Sequence, residues 1–235
     1  MHVLEIIFQT LRRIIFVTGT DTGIGKTIVT ALLLHHLRQT GVDALAMKPF
    51  CSGGRGDVTL LQSLQNSELA DEEINPYYFD QAVAPRVALR RLQRKISLAA
   101  AMRKIRSVAE KCECLLVEGI GGLLVPLGRN FMVIDLIRAL LPEVILVAGN
   151  KLGAINHTLL SARALEAIGI GQFKGVLVDL SRKDLVRRTN LLVLRESLKP
   201  NRVFSLPYLG SNLDQVRAIK ESYPKVKKLL ACLYA

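Results

Sequence analysis

The sequence predicts an α/β fold: a single doubly wound, mostly parallel sheet with helices on both faces. Three observations carry this. Six apolar runs of strand length recur along the 235 residues. The runs are apolar throughout rather than alternating, which implies burial on both faces. Helical patterns separate them, and strand–helix alternation makes a parallel sheet.

The first run, Ile14–Val17, enters a glycine-rich turn, Gly19 to Thr27. A helix follows over Ile28–Gln39 and stops at Gly41. The second run is Ala44–Met47, and Lys48-Pro49-Phe50-Cys51-Ser52-Gly53 ends that strand because proline stops it. Gly56-Asp57-Val58 starts a short helix. Ser97–Cys112 is a longer one, with Ser97 as N-cap and Ile105, Val108 and Ala109 on its apolar face. The third run, Leu115–Val117, leads into Glu118 and a second glycine-rich stretch. Val144–Ala148 is the fourth, followed by a helix over Asn156–Ile168 that ends at Gly169. Val176–Val178 and Val203–Leu206 complete the set. Residues 1–13 form an N-terminal extension of unassigned order, and 14–235 form one domain.

In such sheets ligands bind at the carboxyl ends of the strands, and the polar residues collect there. Gly19 to Thr27 reads G-T-D-T-G-I-G-K-T. Five residues separate Gly19 from Gly25, one more than in G-x-x-x-x-G-K-[ST]. A turn of this kind aims backbone N–H groups at an anion at a helix N-terminus. Lys26 then reaches the β- and γ-phosphates, and Thr27 offers its hydroxyl to Mg²⁺. The fold is therefore of the P-loop NTPase type. Lys48 lands beside this loop as a second cation able to neutralise a transferring phosphoryl group. As an exposed strand-end cation it contributes little to folding. Mg²⁺ prefers oxygen ligands, which Thr27, Asp57 and Glu118 supply alongside phosphate and water. Read on its own, Asp57 has a helix N-cap as its lesser alternative.

The net charge of +12 raises nucleic acid as a partner. The basic residues fall mainly in 86–111, 182–202 and 220–228, within amphipathic helical patterns that hold a single aromatic, Tyr223, and so no interleaved set for base stacking. No nucleic-acid partner is expected; a basic surface also suits a polyanionic nucleotide. Four cysteines, Cys51, Cys112, Cys114 and Cys232, lack disulfide or metal spacing, as expected of reduced thiols in the cytoplasm. No apolar run is long enough to span a bilayer, and no membrane partner is expected. Met1–Leu11 lacks the basic start and cleavage site of a signal peptide.

The motifs together resemble the dethiobiotin synthetases of biotin biosynthesis. They are G-T-D-T-x-x-G-K-T, K-P-x-x-S-G, G-D, E-G-x-G-G, K-L-G-x-I-N-H and a late P-Y-L, in that family's order from Gly19 to about Leu209. The loop with one extra residue is the family's own form. The resemblance implies that 7,8-diaminopelargonate, CO₂ and ATP, with Mg²⁺, give dethiobiotin, ADP and phosphate. It implies that Lys48 and Lys26 are the catalytic lysines, and that Thr22 and Ser52 contact the diamine. It implies that Gly153 and Asn156 hold the substrate's tail from the neighbouring subunit of a homodimer; without the family, Asn156 reads as a helix N-cap. Nucleotide contacts are implied at Gly23, Ile24, Gly25, Lys26, Thr27, Ile28, Asp57, Glu118, Gly119, Ile120 and Gly121. They extend to Asp179, Leu180, Pro207, Tyr208 and Leu209.

Three positions depart from the family. Gly23 stands where Glu is frequent, and Ala84-Pro85-Arg86 where Ser-Pro-His is usual. Asp179 stands where an asparagine reads adenine. An amide both donates and accepts, whereas an ionised aspartate only accepts, so weak preference for ATP over GTP is expected. The competing reading is a partitioning or regulatory ATPase of the same fold. That group carries an extra lysine five residues before the loop lysine, where this chain has Asp21.

Overall fold

The computed structural model describes residues 12–181 and 186–235. Residues 1–11 of the N-terminal extension lie outside them, as do residues 182–185 of one basic stretch. Eight strands are present among the described residues: β1 (Arg13–Gly19), β2 (Ala44–Met47), β3 (Phe50–Ser52), β4 (Tyr77–Phe79), β5 (Cys114–Glu118), β6 (Glu143–Gly149), β7 (Phe173–Val178) and β8 (Val203–Leu206). Nine α-helices accompany them: α1 (Lys26–Gln39), α2 (Gly56–Leu64), α3 (Asp71–Ile74), α4 (Pro85–Arg91), α5 (Leu98–Ala109), α6 (Val133–Leu140), α7 (Ala154–Ala167), α8 (Arg187–Leu198) and α9 (Val216–Tyr234).

Six strands form one sheet in the order β2-β5-β1-β6-β7-β8, with every neighbouring pair parallel. All six apolar runs of the sequence are strands of this sheet. β1, β2 and β5 are buried along most or all of their length, as all-apolar runs require. The chain winds outward in two directions from β1, so β5 and β6 diverge on either side of it. That makes the end of β1 a switch point, where a crevice opens at the carboxyl edge.

The second strand behaves differently from the sequence reading. The ladder with β5 stops at Met47, and the chain resumes at Phe50 as β3 in a separate two-stranded parallel sheet with β4. Pro49 has no N–H to donate, and the Lys48 N–H goes to the Ile74 carbonyl (2.8 Å). The break turns Lys48 out of the sheet and carries Cys51 and Ser52 toward the crevice.

Helix boundaries follow local chemistry. The Ser97 hydroxyl accepts from the Ala100 N–H and caps α5. The helix placed at Asn156–Ile168 begins two residues earlier. Its N-cap is Gly153 in the left-handed region (φ 87°), so Asn156 is not a cap but an exposed residue of the first turn.

Candidate active site

Gly25 is the N-cap of α1 with φ 95°, a conformation that favours glycine. A Cβ there would also stand 2.9 Å from Val178 Cγ1, so β7 presses directly against the loop. The turn therefore closes with its N–H groups at the helix N-terminus, where an anion is favoured. Lys26 is only 6% exposed, and its ammonium donates to the Asp21 carbonyl at 2.6 Å. Burial pushes its pKa down to about 8, against the pull of Glu118.

Opposite the loop, the ends of β2 and β5 and the start of α2 bring three charges together. The Lys48 ammonium donates to Glu118 Oε1 (2.6 Å) and to Asp57 Oδ2 (2.5 Å). The Thr27 hydroxyl donates to the same Glu118 Oε1 at 2.7 Å. Lys48 is 5% exposed and Glu118 is fully buried. Burial alone would lower the lysine, but the two carboxylates outweigh it and hold the ammonium well above its ordinary value. Burial would raise the Asp57 carboxyl, and Lys48 holds it instead below the usual range. Lys48 is thus not the exposed strand-end cation expected from sequence. It is a buried bridge between two acids.

Asp57 has no cap hydrogen bond to make: the residue preceding α2 is Arg55, and Asp57 lies in the first turn. Its carboxylate is spent on Lys48. Of the buried oxygens without a hydrogen-bond partner among the described residues, Glu118 Oε2 and Ser52 Oγ belong to this site. An unpartnered carboxylate oxygen beside a threonine hydroxyl and a second carboxylate fits the oxygen-ligand chemistry of Mg²⁺. No cluster of three or more His, Cys, Asp or Glu side chains able to hold a metal occurs among the described residues. A divalent cation here would therefore need phosphate oxygens or water to complete its shell.

These groups line one cleft of about 390 Å³. It gathers Thr22, Gly23, Ile24, Gly25, Lys26, Thr27, Ile28, Lys48, Ser52, Asp57, Glu118, Ile120 and Gly121, all of them sequence candidates. Gly119, Asp179, Leu180, Pro207, Tyr208, Leu209, Gly153 and Asn156 do not line it. Residues that sequence reasoning missed also contribute: Cys51, Leu60, and the loop after β8 at Gly210, Ser211, Leu213 and Asp214. The rule that loops at the carboxyl edge face the ligand would have found the last group.

Asp179 directly follows β7, at the position where the resemblance implies an asparagine. Its Oδ1 accepts from Asn150 Nδ2 at 2.8 Å, and its Oδ2 pairs with Arg187 at 3.3 Å. Asn190 Nδ2 in turn donates to Asn150 Oδ1 at 2.9 Å. Both carboxylate oxygens thus have partners within the chain.

A family model described as an AAA domain matches residues 13–221. The ATP-dependent dethiobiotin synthetase BioD of Bacillus velezensis is 38% identical over 213 residues, 87% of this chain and 88% of that protein. The protein of the same name from Bacillus licheniformis is 38% identical over 182 residues, 74% of this chain and 77% of its own. Among solved structures, the MinC:MinD cell division protein complex of Aquifex aeolicus gives a TM-score of 0.62 at 13% identity, covering 94% of both chains. A ParA family ATPase from Chlorobium tepidum gives 0.58 at 13% identity, covering 95% of this chain and 98% of that one. At such identity the structural likeness speaks for the fold alone, while the sequence relatives span most of the chain at a level that fixes kinship. The chain belongs to the ATP-dependent dethiobiotin synthetase family.

Proposed function

We propose that this cleft closes the ureido ring of dethiobiotin from 7,8-diaminopelargonate, CO₂ and ATP, releasing ADP and phosphate. The observation that carries the reading is the Lys48 ammonium, clamped by Asp57 and Glu118 directly across from the phosphate loop. One substrate amine takes up CO₂ as a carbamate, whose oxygen attacks the γ-phosphate. The second amine then attacks the carbamoyl carbon, closes the ring and expels phosphate. No protein nucleophile is needed. The protein holds the reactants in line and offsets the negative charge.

Lys26 leaves the Asp21 carbonyl for the β- and γ-phosphates, and Lys48 faces the carbamate and the phosphoryl group in transit. Mg²⁺ neutralises phosphate charge when bound; Thr27, Asp57 and Glu118 would hold it. Thr22 and the unpartnered Ser52 hydroxyl orient the diamine. Gly153 and Asn156 of a second subunit hold the substrate's carboxylate tail, which makes the working form a homodimer. Asn156 supports this because it is exposed and caps no helix in its own chain.

Neither nucleic acid nor membrane takes part in this reading. No helix among the described residues is long and apolar enough to cross a membrane. Cys51, Cys112 and Cys114 are buried free thiols and Cys232 an exposed one, consistent with the cytoplasm as the site of action.

The test is incubation with diaminopelargonate, bicarbonate, Mg²⁺ and ATP, read by mass spectrometry for dethiobiotin. ADP release should depend on the diamine. Hydrolysis that ignores the diamine and responds to DNA or to vesicles would point to the partitioning ATPase instead. Asn156→Ala should raise the KM for the diamine more than for ATP, and a fully active monomer would remove the shared site.

A further inference from the structure

A second cavity, of about 1090 Å³, lies apart from the nucleotide cleft and shares no lining residue with it. Its floor is apolar: Leu89 of α4, Phe131, and the half-buried Ile96 and Leu98 at the start of α5. Gly128 shapes the wall, since a Cβ there would stand 2.2 Å from the Phe131 ring. Its rim carries six cations, Arg86, Arg90, Arg94, Lys95, Arg129 and Arg138. One carboxylate faces them, Asp135, and it already accepts from the Met132 N–H at the start of α6 (2.8 Å).

None of the six cationic side chains has an ion pair or hydrogen bond among the described residues. Elsewhere five arginines, Arg13, Arg38, Arg55, Arg163 and Arg217, each meet a carboxylate, whereas exposed Arg103 and Arg106 pair with none among the described residues. Six converging like charges faced by a single carboxylate cost stability by mutual repulsion. Guanidinium forks match carboxylate and phosphate geometry, whereas the floor beneath them suits hydrocarbon.

We propose that this cavity binds an amphipathic anion: an aliphatic chain seated on Leu89, Ile96, Leu98 and Phe131, with a carboxylate or phosphate head held by the arginine rim. The site is independent of the ring-closing reaction and does not rest on it. A free amphiphile is the occupant, because the cavity is sized for one small molecule.

Titration calorimetry of the full chain with octyl phosphate, below its micelle concentration, is the direct test. One molecule should bind per chain, at least tenfold more tightly than butyl phosphate or inorganic phosphate and far more tightly than neutral octyl glucoside. The triple variant Arg90→Gln, Arg94→Gln, Arg129→Gln changes only exposed side chains and should weaken binding at least tenfold with a melting temperature unchanged or raised. Equal binding by the variant, several molecules per chain, or equal binding of the neutral glycoside would overturn the proposal. So would binding to phosphatidylglycerol vesicles without binding of the free phosphate, which would mark the rim as a membrane contact. No binding to the full chain, as when a second copy covers the cavity, overturns it too.

Discussion

The two walls of the nucleotide cleft each present one buried lysine, and they hold it in opposite ways. On the phosphate-loop wall, the Lys26 ammonium donates to a backbone carbonyl and to no carboxylate, and burial pushes its pKa down to about 8 against the pull of Glu118. On the facing wall, Lys48 is bonded to two carboxylates, and its ammonium is held above the ordinary value. The same residue type at the same depth thus costs folding energy on one side and anchors the structure on the other. In the proposed reaction the under-compensated Lys26 is matched to the incoming phosphates, while the carboxylates hold the Lys48 ammonium charged and in place to face the carbamate.

Lys48→Ala should break the contrast most severely. It removes charge stabilisation in the transition state, for which a loss of roughly 10²-fold or more in turnover is expected. It also leaves the buried Glu118 carboxylate without its cation, at a cost of about 3 kcal/mol, or a drop of roughly 6–12 °C in Tm for a chain of this size. Steady-state assays and thermal unfolding read the two effects separately. An unmoved Tm would mean that the bridge to Glu118 and Asp57 does not support the fold. Lys26→Met should instead abolish nucleotide binding while leaving Tm unchanged or raised, since it removes a charge that burial penalises.

Glu118→Gln sharpens the comparison within the carboxylate wall. The isosteric amide can still accept from Thr27 and Lys48 but presents no charge to Mg²⁺. The Mg²⁺ concentration for half-maximal activity should rise about tenfold. An unchanged titration would confine Glu118 to holding Lys48.

Base selection carries the next effect. Asp179 is held by Asn150 and Arg187 and, ionised, can only accept, so it cannot read adenine's N7 and N6 together as an amide does. The ratio of kcat/KM for ATP over GTP should stay below roughly 100-fold, the discrimination of about 2.7 kcal/mol. Asp179→Asn should raise that ratio severalfold. A strong ATP preference in the unaltered protein would show that backbone groups at the base end do the selecting.

The smallest effect is one of pH. Lys26 has a folded pKa of about 8 against an ordinary 10.5. Between those values the unfolded chain binds more protons than the folded one, so this group's penalty on the empty protein is full below pH 8 and is relieved as pH rises. Nucleotide needs the charged form, so ATP affinity should weaken above pH 8, by at most tenfold per pH unit, and binding near pH 8 should take up protons. Calorimetry in two buffers of different ionisation enthalpy measures that uptake; its absence would mean that Lys26 is fully charged in the empty cleft.

Much of this was legible in the residues. The all-apolar runs such as Ala44–Met47 and Val203–Leu206 are strands with those bounds, because period and burial are local properties of a buried parallel sheet. The loop Gly19–Thr27 announced an anion site, because glycine spacing and the helix start are written within nine residues. Other features depended on distant partners. The break after Met47 requires the Ile74 carbonyl, 26 residues on, to take the Lys48 N–H. The burial and pairing of Lys48 require the ends of β5 and the start of α2 to arrive at the same point. The engagement of Asp179 requires Asn150 from the neighbouring strand end. The sequence by itself determined the sheet, the phosphate loop and the set of charged residues at the carboxyl edge, since these follow from short-range pattern. Which lysine is satisfied, which carboxylate oxygen is left over, and where five arginines and a lysine converge over an apolar floor were decided only by tertiary structure. Coulombic and desolvation energies are set by distance and burial in space, not by separation along the chain.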